Sequence, residues 1–298
     1  MKLLVTGMWH EATEHIDEIR KMGHDVIYIE NESENLPCSE NDFDGVICCQ
    51  VFKYHPIEKF SNLKFIQTES AGYDRIPYEY AREHGIRVFN VGDTYAGPMS
   101  EYVICMLLDW YRNRREEEEN QKQHGWNFDF TTKELTGKKV CIIGSGNVAK
   151  YTARKLKVFD CDVVSITNSV RSMEYFDEVR GYDKLKETLA EADVVILATP
   201  PHGKPVIGKD ELISMKKTSV LVNIARGSQV DQEALIEALK NKDIEAAILD
   251  VFAEEPLSEN NELWILDNVL ITPHSSYIGE NNGKRLWEVI KHNLKKGY

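Results

Sequence analysis

The stretch that most constrains this chain is Val140-Cys141-Ile142-Ile143 running into Gly144-Ser145-Gly146-Asn147-Val148-Ala149. A short apolar run followed by G-x-G-x-x-A is the strand, turn and helix start of a dinucleotide-binding βαβ unit. The first glycine allows a tight turn. The second lets backbone approach a pyrophosphate, and the small Ala149 lets helix and strand pack closely. The helix then points its positive end at the phosphates. The same pattern occurs in ordinary strand-to-helix turns, so its weight depends on what surrounds it.

What surrounds it is a series of short apolar runs. Runs at 163–166, 194–197, 220–222, 246–249 and 269–271 follow, mostly separated by helical patterns at 148–159, 182–189 and 231–240. Apolar strands alternating with helices predict a doubly wound parallel sheet covered on both faces. The first ninety residues repeat the theme, with runs at 2–6, 26–29, 45–49, 63–67 and 86–89 and a helical pattern over 11–22. Between the two series, Pro98 and the stripe Tyr102, Val103, Met106, Leu107 and Trp110 predict one long helix over 98–119. Its end, Arg114-Arg115-Glu116-Glu117-Glu118-Glu119, reads as a solvated face.

At 298 residues the chain suits two domains. With 42% hydrophobic residues it is no disordered chain. Its 49 acidic residues against 36 basic ones, a net charge of −13, argue against a nucleic-acid partner. No apolar run approaches the roughly 20 residues of a membrane span. His10 and Glu11 come too early for a signal-peptide core. The cysteines at 38, 48, 49, 105, 141 and 161 contain no Cys-x-x-Cys, and four lie in apolar runs. They read as core thiols of a cytoplasmic protein. No metal site is expected.

The strand after the glycine turn leads into Thr167-Asn168-Ser169-Val170-Arg171. An NAD site normally carries Asp or Glu here, accepting from the ribose 2′-hydroxyl. Its absence, with Asn168, Ser169 and Arg171 present, favours NADP(H), with NAD(H) possible. The plainer alternative is a solvated polar loop.

Three more strand ends carry reactive side chains: Arg226 after 220–222, Asp250 and Glu255 after 246–249, and His274 after 269–271. In an open α/β sheet the carboxyl ends of the strands border the ligand crevice. Each residue alone could be a surface ion-pair partner or a stacked ring. Together they form a set in which Arg binds a carboxylate bidentately, His moves a hydroxyl proton, and Glu orients the His.

With these residues in view, the chain resembles the D-isomer-specific 2-hydroxyacid dehydrogenase family over nearly its whole length. The matching segments are Ser70-Ala71-Gly72-Tyr73-Asp74, Asn90-Val91, Ser100-Glu101-Tyr102, the glycine turn, Asn223-x-Ala225-Arg226-Gly227 with Val230-Asp231, Asp250-Val251-Phe252-x-x-Glu255-Pro256-Leu257, and Thr272-Pro273-His274. Gly97-Pro98-Met99 before Ser100 is similar to the glyoxylate/hydroxypyruvate reductase branch, which often uses NADPH.

The resemblance implies a flavodoxin-like substrate-binding domain over 1–96, completed by a C-terminal helix over 278–298. It implies a Rossmann dinucleotide-binding domain over 97–277, with hinging between the two. It implies Arg226, Glu255 and His274 as catalytic residues, and backbone at Ala71 and Gly72 holding the substrate carboxylate. Cofactor contacts would come from Gly144, Ser145, Gly146, Asn147, Val148, Asn168, Ser169, Arg171, Thr199, Pro200, Asp250 (at the nicotinamide carboxamide) and Ser276. The expected protein is a homodimeric reductase of a small 2-oxo acid. The segment Thr199-Pro200-Pro201-His202-Gly203-Lys204 departs from the commoner family pattern, and with the last residue at Tyr298 the family's final return strand is expected to be missing. Rival readings are a dinucleotide-sensing co-regulator of the same fold, a formate dehydrogenase and a methyltransferase. Formate dehydrogenases use Gln where this chain has Glu255. A methyltransferase would not need Arg226, Glu255 and His274 together.

Overall fold

The computed structural model describes every residue except Met8, His10, His202, Gly297 and Tyr298. The chain forms two compact units, Met1–Tyr95 with Gly279–Tyr298, and Ala96–Ile278.

The first unit is built on five parallel strands in the order β2-β1-β3-β4-β5. They are β1 (Lys2–Thr6), β2 (Asp25–Ile29), β3 (Gly45–Cys48), β4 (Phe65–Thr68) and β5 (Arg87–Phe89). That is the flavodoxin-like order. Successive residues of a strand face opposite sides, which the two cores reflect. Leu3, Val5 and Phe65 pack with Ile19 of helix α1 (Ala12–Lys21) and with Trp287, Ile290 and Leu294 of the closing helix, Asn282–Lys296. Leu4, Val46 and Ile66 pack on the other face with Ala81 of α2 (Tyr78–Glu83). The closing helix is keyed by a polar contact, Asn293 Nδ2 donating to Gln67 Oε1 at 2.8 Å in the core.

The second unit opens with α3 (Ala96–Tyr111) and α4 (Arg114–Lys122). Its strands are β6 (Lys139–Ile143), β7 (Asp162–Ile166), β8 (Glu178–Arg180), β9 (Val194–Leu197), β10 (Val220–Asn223), β11 (Ala246–Leu249) and β12 (Val269–Ile271). Its further helices are α5 (Asn147–Lys157), α6 (Leu185–Glu191), α7 (Lys209–Ser214) and α8 (Gln232–Lys240). All seven strands are parallel, in the order β12-β11-β10-β9-β6-β7-β8. This is the doubly wound Rossmann arrangement, whose strand order reverses between β6 and β9.

Several local expectations change. The helix expected over 98–119 is two helices. Asn113 adopts left-handed backbone at φ +51° and its amide donates to Asp129, which breaks the run. Val103, Leu107 and Tyr111 of α3 are buried, whereas α4 buries nothing and so is not tied to the sheet by packing. The polar edge strand β8 has no apolar pattern to announce it. The segment 182–189 starts as a 3-10 turn before α6, and the closing helix begins at Asn282 rather than 278. All six cysteines are free thiols; Cys48, Cys49, Cys141 and Cys161 are buried and Cys105 is exposed. Among the described residues no helix is long and apolar enough to cross a membrane.

Candidate active site

Because the seven strands run parallel, their carboxyl ends share one edge of the sheet. That edge carries Gly144 after β6, Thr167 after β7, Thr199 after β9, Arg226 after β10, Asp250 after β11 and His274 after β12.

At the β12 end, His274 Nδ1 lies 2.8 Å from Glu255 Oε2. A carboxylate only accepts, so Nδ1 donates and Nε2 is the nitrogen left for proton exchange. The other oxygen, Glu255 Oε1, accepts from the Phe252 N–H at 3.0 Å. Both side chains keep a solvent-facing portion, 28% for His274 and 36% for Glu255. The Tyr277 ring stands perpendicular to the imidazole, with centroids 6.0 Å apart at 90°.

Arg226 is presented by a turn that its own neighbours lock. Asn223 caps it, donating from Nδ2 to the Arg226 carbonyl at 3.0 Å and accepting from the Ala225 N–H at 3.1 Å. Gly227 then lies directly on the backbone of Phe252 and Ala253, where any Cβ would collide. Backbone packing thus joins the turn of Arg226 to the segment that Glu255 holds.

Asp250 is fully buried. Its Oδ1 accepts from Thr272 Oγ1 at 2.6 Å and the Ser275 N–H at 2.8 Å, and its Oδ2 accepts from the Ser276 N–H at 3.0 Å. Ser276 is 3% exposed. The two residues that the family resemblance makes cofactor contacts are therefore engaged with each other beneath the His274 turn.

The other end of the edge is shaped by backbone and space. Gly144 has φ +124°, donates to the Ile166 carbonyl at 2.8 Å, and lies against the Ala198 carbonyl, where a Cβ would not fit. Gly146 faces open space, with no atom within 4 Å of a built Cβ. Helix α5 starts at Asn147 and Val148 with no side-chain cap, so its leading N–H groups point outward without one. Ser145 Oγ and Thr167 Oγ1 are 3.1 Å apart. An uncapped helix start beside an open glycine cradle fits a pyrophosphate.

Asn168, Ser169 and Arg171 are exposed. The nearby cation Arg180 is already engaged by Glu178 and Glu191, whereas Arg171 makes no ion pair among the described residues. Thr199 is buried, and the Pro200 carbonyl accepts from Gln229 Nε2 at 3.0 Å. His202 of the same segment lies outside the described residues. The roles of Asn223 and Gln229 escape sequence reading because their hydrogen bonds are to backbone.

In the first unit, Ala71 and Gly72 follow β4. Asn90 Nδ2 donates to the Ala71 carbonyl at 2.9 Å, and Ser70 Oγ to the Gly72 carbonyl at 2.7 Å. The carbonyls are tied back, and no described residue accepts from either N–H. Among the described residues no cluster of His, Cys, Asp and Glu could hold a metal ion.

Two family models match: the D-isomer specific 2-hydroxyacid dehydrogenase NAD binding domain over residues 104–276 and the catalytic domain of the same family over 4–156. A D-3-phosphoglycerate dehydrogenase of Methanocaldococcus jannaschii is 31% identical over 99% of this chain, which spans 57% of that protein's length. A glyoxylate reductase of Pyrococcus furiosus is 35% identical over 80% of this chain and 73% of its own. Among solved structures, an NADPH-dependent glyoxylate/hydroxypyruvate reductase of Sinorhizobium meliloti is 25% identical, with a TM-score of 0.84 over 99% of this chain and 93% of that one.

Proposed function

The chain belongs to the D-isomer specific 2-hydroxyacid dehydrogenase family, and from that premise we propose that it reduces a small 2-oxo acid to the D-2-hydroxy acid with NADPH as preferred cofactor. The observation that carries this reading is the His274–Glu255 pair at 2.8 Å, with Nε2 left for proton exchange. The Arg226 turn packs against the same segment, on the edge that bears the glycine cradle.

A bound reduced nicotinamide would supply the hydride to C2 of the substrate. Arg226 binds the carboxylate and draws charge from the carbonyl oxygen. His274 Nε2 gives its proton to that oxygen as the alcohol forms, and Glu255 balances the imidazolium. Gly144 to Val148 hold the pyrophosphate, with Thr199 and Pro200 bordering the same edge. Asn168, Ser169 and Arg171 hold the 2′-phosphate. The Ala71 and Gly72 N–H groups hold the substrate carboxylate. Asp250 and Ser276 serve first to support the His274 turn.

The protein is a cytoplasmic homodimer on this reading. Support comes from a bared apolar surface in the second unit. Trp126, Phe128 and Phe130 are 89%, 78% and 91% exposed. An open groove of about 370 Å³ is lined by Ile104, Cys105, Leu108, Val158 and Phe159. Patches of this kind mark interaction sites.

The test is NADPH oxidation across a panel from glyoxylate and hydroxypyruvate to bulkier 2-oxo acids, repeated with NADH. Turnover should be faster with NADPH. Arg171→Ala should narrow that preference by about tenfold or more, the value of one charge-assisted contact of about 1.5–3 kcal/mol. Tight NADPH binding with no oxidation by any 2-oxo acid would favour the sensing protein instead.

A further inference from the structure

His274 sits in left-handed backbone, φ +50°, a conformation uncommon among non-glycine residues. Something must hold it there. Part of the restraint is local: its N–H donates to the Asp250 carbonyl at 2.8 Å and the Thr272 carbonyl at 3.1 Å. The rest comes from below. Thr272 Oγ1 has a single proton, and the Asp250 carboxylate takes it at 2.6 Å. Thr272 Oγ1 also lies 2.7 Å from the Tyr102 hydroxyl. With the threonine proton committed to the carboxylate, the phenol must be the donor. The direction of the whole chain is thereby settled: Tyr102 O–H to Thr272 Oγ1, and Thr272 O–H to Asp250 Oδ1.

Burial, with Asp250 nearby, pushes the Tyr102 phenol well above its ordinary range, so it keeps its proton. Tyr102 is rooted in α3, whose neighbours Val103 and Leu107 are fully buried. The side chain thus ties the turn after β12 to a helix 170 positions earlier in sequence.

We propose that Tyr102, acting through Thr272 and Asp250, is a positioning residue that fixes the orientation of the His274 imidazole for proton transfer. This rests on the reading of His274 as the proton donor. The physical warrant is that displacements of about 1 Å at a reacting group reduce rates by up to roughly 10²-fold. A turn held in left-handed backbone relaxes when one of its anchors is released.

The experiment compares Tyr102→Phe, Thr272→Val and Thr272→Ser. The phenylalanine variant keeps the ring and removes only the donor. Valine keeps the shape of threonine and removes the hydroxyl, while serine restores it. We expect kcat about tenfold lower in Tyr102→Phe and in Thr272→Val, with KM for the 2-oxo acid and Kd for NADPH within about twofold of the unmodified protein. Thr272→Ser should return to near the unmodified kcat. The double variant Tyr102→Phe/Thr272→Val should be no slower than the slower single variant, because both break one chain.

A second readout does not need turnover. In histidine-selective ¹⁵N spectra, with the His274 signal identified by its loss in His274→Gln, the unmodified protein should show one locked tautomer protonated at Nδ1. In Tyr102→Phe the released turn should weaken the Nδ1–Glu255 hydrogen bond, so that the Nδ1-protonated tautomer loses population to the Nε2-protonated one. An unmodified protein that reduces 2-oxo acids while Tyr102→Phe keeps full kcat and the locked tautomer overturns the inference alone. No reduction by the unmodified protein overturns the functional reading, and the tautomer measurement then still decides whether Tyr102 holds the imidazole. Losses in kcat matched by equal rises in both KM and Kd would show general loosening and would also overturn it.

Discussion

The two units use one device for two ends. In the second, buried Asp250 gathers one threonine hydroxyl and two successive backbone N–H groups, from Thr272, Ser275 and Ser276. In the first, Glu32, 1% exposed, does the same with Thr6 Oγ1 at 3.0 Å and the N–H groups of Cys49 and Gln50 at 2.7 and 2.9 Å. Both sit at the carboxyl edge of a parallel sheet, and each satisfies a loop whose backbone would otherwise be buried unpaired. What differs is the loop. Asp250 organises a turn that bears His274, whereas Glu32 organises Cys49-Gln50, which bears an amide and a buried thiol whose pKa burial raises. A buried carboxylate with three donors is thus a way of shaping loops, and becomes part of a reaction only through what the loop carries.

The sharpest test of that distinction is His274→Ala. It removes the acid while leaving the Asp250 cage intact. The expectation is a kcat lower by roughly 10²–10⁴-fold with Tm and NADPH affinity near unmodified values. Near-full kcat would show that the cage surrounds no acid.

The next test sets Asp250→Ala against Glu32→Ala. Each leaves three donors without an acceptor, so both should destabilise their unit by roughly 2–5 kcal/mol, read as a lowered Tm. Their kinetics should part. Asp250→Ala should act mainly on kcat, whereas Glu32→Ala should leave kcat near the unmodified value in the molecules that fold, since the loop Glu32 holds carries no residue proposed to move a proton. Equal losses of kcat in both would break the comparison.

The smallest effect concerns Glu69, beside Glu32. It is 7% exposed, and burial together with the Glu32 charge raises its pKa well above the ordinary 4.5. A raised carboxyl binds its proton more tightly in the folded state. Its contribution to stability is therefore present below the unfolded pKa and lost as pH rises from there through the folded value. Glu69→Gln, neutral at every pH, should flatten this decline, so that Tm at pH 8 moves closer to Tm at pH 5. An unchanged slope would show that Glu69 is ionised in the fold, which would leave Glu32 as one of a charged pair and unlike Asp250.

Arg226 and His274 were legible because each follows closely on an apolar strand, and parallel strands bring such positions to one edge whatever lies between them; Glu255, six residues past β11 with Glu254 beside it, was singled out by the family resemblance. The glycine turn was legible because its spacing reflects backbone geometry that is local in sequence. Strand β8 was not, because Glu-Val-Arg at an edge needs no apolar alternation. Nor was the break at Asn113, which depends on Asp129 sixteen residues on.

The sequence by itself determined the alternation of buried strands and helices, the doubly wound class and the cradle at Gly144 to Ala149, all set by short-range pattern and backbone sterics. Tertiary structure alone decided how the reactive groups are aimed. Glu255 reaches His274 across nineteen positions, Thr272 reaches Asp250 across twenty-two, and Tyr102 reaches Thr272 across 170. Gly227 is required because Phe252 backbone lies against it. A hydrogen bond has no range along the chain: its partners are chosen by which strands lie side by side, and only the folded sheet puts β12, β11 and β10 next to one another.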